Sequence, residues 1–235
     1  MRLLQVRGWV GLLGWLGLIA LGHAQPGEGK FTGKPGEFLP GAFPAWIVSA
    51  PAAERVVDGP DEMPALTDRD KNIRDEARIG KVHCPVTRIG VGPMVAIFAR
   101  TVPEPDSPLA KLTKQLEPIL EKNRAYRPGA FVTFLTLTDD FLNDPQAKAR
   151  IEQARRFAEM TEAKRVIVGV DRSSSERTAL WAIPDDAEVY VVVAFRTIAR
   201  GVWVYTKDQP LTDADVAAIL AKFNEQFPSV KGKGR

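Results

Sequence analysis

Between Met94 and Val170 the sequence alternates short apolar runs with stretches of helical period, and that alternation restricts the fold more than any other feature. Met94 to Phe98 is uninterrupted apolar sequence after Gly92-Pro93, the pattern of a strand buried on both faces. Ser107 then supplies an N-cap and Pro108 a first helical residue, and Leu109, Leu112, Leu116, Ile119 and Leu120 repeat on one face. Pro128-Gly129 ends that unit, and Ala130 to Leu137, rich in Phe and Val, predicts a second strand. Asp144-Pro145 opens a helix expected to reach about Ala163, with Ala147, Ile151, Ala154 and Ala158 as its buried stripe and Phe157 beside it. Val166 to Val170 predicts a third strand. Strand, helix, strand, helix, strand implies parallel pairing through right-handed crossovers.

The second half changes character. Val189 to Phe195 and Val202 to Tyr205 are strand-like runs a few residues apart around Gly201, the spacing of an antiparallel hairpin. Thr212 and Asp215 then form a capping box, and Val216, Ile219, Leu220 and Phe223 fall at i, i+3, i+4 and i+7 of a closing helix.

Ahead of this core, glycine and proline recur from Gln25 to about Pro64, as in Lys34-Pro35-Gly36 and Pro40-Gly41, which denies helix and central strand and predicts an extended arm. Phe38, Leu39, Phe43, Trp46 and Ile47 are apolar enough that part of the arm is expected to lie across the domain surface. Residues 65 to 80 are dense in charge and read as a connector or short exposed helix. The first 24 residues read as a cleavable secretory signal: Arg2 and Arg7, an apolar stretch from Trp9 to Leu21, then small residues at Gly22 and Ala24. The other reading is an uncleaved anchor, but the apolar stretch falls short of the roughly 20 residues a spanning helix needs, so no stable membrane span is expected after cleavage. The expected destination is periplasmic, cell-envelope or extracellular.

Cleavage before Gln25 removes two arginines and no acid, so the formal charge drops from +3 to +1. Acids and bases are interspersed and only Lys231, Lys233 and Arg235 form a basic run, which argues against a nucleic-acid partner. Cys84 is the single cysteine, so this chain forms no internal disulfide. Beyond His23 only His83 remains, and no zinc spacing, phosphate-binding loop or serine-nucleophile motif is present; neither a metal nor a cofactor is expected. Asp139-Asp140 read as turn and capping residues, and Arg172, Ser173 to Ser175 and Arg177 as a solvated loop.

A βαβαβ half, a hairpin and a closing helix is the element order of the thioredoxin fold, and the chain from about Lys81 to Phe227 resembles that family. Glu117-Pro118-Ile119-Leu120-Glu121 is similar to the proline-kinked stretch of the helix that follows the family's redox motif, and Gly201 to Phe227 is similar to its last strand and helix. The resemblance implies an α/β, thioredoxin-like three-layer sandwich with a mixed central sheet. The expected organisation is a signal (1–24), a Pro/Gly-rich extension with its connector (25–80), the domain (81–228) and a basic tail (229–235).

The resemblance also implies a Cys-x-x-Cys at the start of the helix after the first central strand. Counting back from Pro118 places it at Ala110 to Thr113, counting forward from Phe98 places it near Pro103 to Asp106, and neither stretch holds a sulfur. For the family's cis-proline, a ligand-binding position just before the hairpin, Pro184 is the one candidate; its distance from Val189 favours an ordinary trans turn proline.

His83-Cys84-Pro85-Val86-Thr87 resembles a Cys-x-x-Cys with Thr in the second place, similar to the monothiol variants of glutaredoxin-like proteins. That implies catalytic roles for Cys84 and Thr87, with the Thr87 hydroxyl holding the thiolate. Two features oppose it. Arg88 to Pro93 is a poor helix and offers no dipole, and neighbours on an extended strand face opposite ways, so His83 is not expected to reach Cys84. A buried, inert cysteine is the other reading. Three functions stand as expectations: a redox-inactive module binding a protein or peptide partner, a monothiol oxidoreductase or peroxidase acting through Cys84, and an envelope protein docked by its arm.

Overall fold

A computed structural model describes residues 31–50, 79–140, 143–173 and 176–228. The signal segment, most of the charged connector, Ser174-Ser175 and the basic tail lie outside the described residues. Among the described residues one mixed sheet has seven strands: β1 (Ala45–Ser49), β2 (Val82–His83), β3 (Met94–Ala99), β4 (Gly129–Leu137), β5 (Val166–Arg172), β6 (Val189–Phe195) and β7 (Ile198–Tyr205). The helices are α1 (Pro85–Ile89), α2 (Pro108–Lys122), α3 (Ala147–Met160), α4 (Glu176–Leu180) and α5 (Asp213–Asn224).

The sheet order is β2-β1-β5-β4-β3-β6-β7. The three apolar runs pair in parallel, with Ile97 opposite Val132 and Val132 opposite Val168, while β6 runs antiparallel to β3 and β7 antiparallel to β6. All six residues of β3 are buried, as an uninterrupted apolar run at the middle of a sheet requires. Side chains alternate between two cores. Val95, Ile97, Val132, Phe134, Val168 and Val170 meet Leu112 and Leu116 of α2, Phe157 of α3 and Ile219 and Phe223 of α5. Met94, Phe98, Phe131 and Ile167 meet Val86 of α1, Trp181 just beyond α4, and Phe31, Leu39 and Phe43 from the arm. The two cores on one sheet make the three-layer sandwich.

Helix ends follow the sequence closely at α2 and α5. Ser107 Oγ accepts the Ala110 N–H at 3.2 Å, Pro118 sits inside α2, and Thr212 and Asp215 form the capping box. α3 starts later than its periodicity suggested, because Asp144 holds the turn ahead of it, accepting Gln146 N–H at 2.8 Å and pairing with Arg150 at 2.8 Å, and it stops at Met160, two residues before Glu162 turns left-handed at φ 52°.

Three expectations need correction. The arm does more than lie on the surface: Ala45–Ser49 is a strand antiparallel to β5, and Phe43 is wholly buried. Gly and Pro flank this stretch but leave it free, and its alternation puts Ala45 and Ile47 in one core and Val48 in the other. Residues 36–39 also pair with the start of β7, Gly36 N–H donating to Ala199 O and Leu39 N–H to Thr197 O, each at 2.8 Å. The hairpin turn falls at Arg196-Thr197 and Gly201 lies within β7, where a Cβ would stand 2.3 Å from the Trp203 ring. Both turn residues are left-handed, at φ 53° and 61°, a geometry in which non-glycine residues are uncommon. Finally, Arg177 is no solvated loop residue: it lies on α4 and holds the buried Asp171 carboxylate through two hydrogen bonds of 2.9 and 3.2 Å.

Candidate functional site

Two places carry the chemistry the sequence proposed, and the sheet keeps them apart. The first is the start of α2, beyond the carboxyl end of β3. The cap there is Ser107 followed by Pro108. Ala110 and Thr113, one expected site of the redox motif, are wholly buried inside the helix, where the Thr113 hydroxyl donates to Leu109 O at 3.0 Å. The other expected site, residues 103–106, is the loop ahead of the cap, tied by Ser107 N–H to Glu104 O.

Arg100, the first residue after β3, closes the neighbouring edge. Its guanidinium donates to Ala187 O at 3.0 Å, Pro184 O at 3.1 Å and Ser173 O at 3.4 Å. Pro184 also accepts Ala187 N–H at 3.1 Å, so it opens a tight turn. No cis peptide bond occurs among the described residues, so of the two readings of Ile183-Pro184 the structure has the trans turn proline. Its setting is a turn, residues 184–187, ahead of β6, and the carbonyls of Pro184 and Ala187 are committed to Arg100.

The second place is Cys84, between β2 and α1. β2 stands four strands from β3 in the sheet order. The expectation of a poor helix holds for Gly90 to Pro93, but a short helix precedes it. Pro85–Ile89 is a single five-residue helix, ended by Gly90 at φ 67°, with Cys84 as its N-cap. It lies close on the sheet, since a Cβ at Gly129 would fall 2.3 Å from Ile89. Cys84 Sγ accepts two backbone N–H groups, from Thr87 at 3.3 Å and from Phe43 in the arm at 3.2 Å. Thr87 therefore serves the sulfur through its backbone, in place of the expected hydroxyl; its side chain is exposed.

Cys84 is half-buried, between the inert and the open readings. It lines a shallow pocket with Ile47, Ala50, His83, Pro85, Arg88 and Ile167, with room for about one water. His83 and Cys84 reach the same pocket because the chain leaves the strand at Cys84, which the alternation argument for an extended strand did not foresee. Sequence reasoning missed the Phe43 contact, 41 residues away, and the Arg100 clamp; the only signal for the latter was an Arg directly after a buried strand.

Among the described residues no group of three His, Cys, Asp or Glu side chains is arranged to hold a metal ion, and no helix is long and apolar enough to cross a membrane. Buried polar atoms occur in the second core: Trp181 Nε1, Tyr190 Oη and Thr133 Oγ1 have no hydrogen-bond partner among the described residues. Burial pushes the Tyr190 phenol up, with the Glu37 carboxylate adding to the shift.

A parallel βαβαβ unit, an antiparallel hairpin on β3 and α2 and α5 on one face define the thioredoxin-like class of fold. No family model and no curated protein matches the chain. Among solved structures it is similar to Mycobacterium tuberculosis AhpC, with a TM-score of 0.52 at 7% identity over 85% of this chain and 96% of that one. It is also similar to a putative thioredoxin reductase from Burkholderia cenocepacia, with a TM-score of 0.50 at 11% identity over 80% of this chain and 96% of that one. At such identities the likeness is one of fold. Within that class this chain is a single-cysteine form whose thiol lies away from the start of α2.

Proposed function

We propose that this is an exported protein of thioredoxin-like fold that acts by binding a protein or peptide partner and performs no dithiol chemistry. The observation that carries the reading is the start of α2, which opens on Ser107-Pro108 and has no sulfur there or at either place where the family resemblance puts the motif, residues 103–106 and 110–113. The Arg100 clamp commits the carbonyls of Pro184 and Ala187 within the molecule, so those two groups are not offered to a peptide backbone. The test is a chain beginning at Gln25, assayed for disulfide reduction and for peroxide consumption beside its Cys84→Ser variant. Equal, background turnover in both is expected; turnover that vanishes with Cys84→Ser overturns the reading.

A second reading rests on one observation. Cys84 Sγ is half-buried, accepts two N–H groups and faces a pocket lined also by His83 and Arg88. In that reading the sulfur attacks a hydroperoxide, the O–O bond breaks, an alcohol or water leaves and a sulfenic acid remains for an external thiol to reduce. Alkylation of the native protein separates the two: reaction only after denaturation removes the second reading.

A further inference from the structure

We draw no further inference here: the strongest candidate, the outer edge of the sheet along residues 200–204 of β7, where Val204 is exposed and Trp203 half-buried, carries nothing because nothing among the described residues shows what covers it.

Discussion

α1 and α2 begin alike and are put to different use. Each opens on a cap followed by proline, Cys84-Pro85 and Ser107-Pro108, and in each the cap side chain accepts the N–H three residues on. α2 continues for 15 residues and α1 for five. Ser107 Oγ serves its own helix, whereas Cys84 Sγ also holds Phe43 of the arm. The thioredoxin resemblance joins a thiol to the start of the long helix. Here the long helix keeps the dipole and the short one keeps the sulfur, so the thiol has become a joint between two distant stretches of chain.

The largest effect that tests this joint comes from Phe43, whose ring lies 4.6 Å from Phe98 and 6.1 Å from Trp181. Phe43→Ala should cost about 3–5 kcal/mol in urea unfolding and speed alkylation of Cys84. A loss below about 1 kcal/mol would mean that the arm packs there without bearing on the core.

Next comes the pair of caps themselves. Ser107→Ala should cost about 1 kcal/mol, and Cys84→Ala about 1–3 kcal/mol because it strips an acceptor from two N–H groups at once. Cys84→Ser should fall between wild type and Cys84→Ala. Equal costs for the two alanine variants would remove the claimed difference between the helices.

Acid should loosen the arm. The Thr32 hydroxyl and N–H donate to the Glu37 carboxylate at 2.6 and 2.7 Å and hold it below its ordinary value of 4.5. A carboxylate lowered in the folded state adds stability that is complete above about 4.5 and is lost as pH falls through the folded value. Unfolding followed against pH should show that loss in the wild type and a flatter curve for Glu37→Gln; identical curves would detach the Thr32–Glu37 turn from arm stability.

The smallest effect is expected at Thr87. Since only its backbone meets the sulfur, Thr87→Val should change stability by less than about 0.5 kcal/mol and leave Cys84 alkylation alone. A marked change in alkylation would restore a role for the hydroxyl.

The sequence disclosed what local pattern controls. β3 is a continuous apolar run and β4 and β5 are largely apolar, and the caps of α2 and α5 use Ser107, Thr212 and Asp215 within one turn of the residues they serve. What it concealed depends on distant partners. β1 is five residues between glycine- and proline-rich stretches, and β2 is two residues long; β1 is a strand because β5 offers an edge, and β2 because β1 then offers another. The Arg196-Thr197 turn carries no glycine signal, and its left-handed backbone is held from outside, Arg196 N–H by Val91 O and Thr197 O by Leu39 N–H. The candidate site divides the same way. Cys84 was legible as a lone thiol, while its second donor comes from Phe43, 41 residues earlier.

The strand drawn from the arm has a practical side. A fragment cut at residue 81, where composition suggests the domain begins, would lack β1 and leave the outer side of β5 as a row of bare N–H and C=O groups beside a buried apolar strand. Such an edge recruits strands from other molecules. The shortest piece worth expressing therefore reaches back at least to Phe31, and a fragment begun at 81 should be recovered as aggregate.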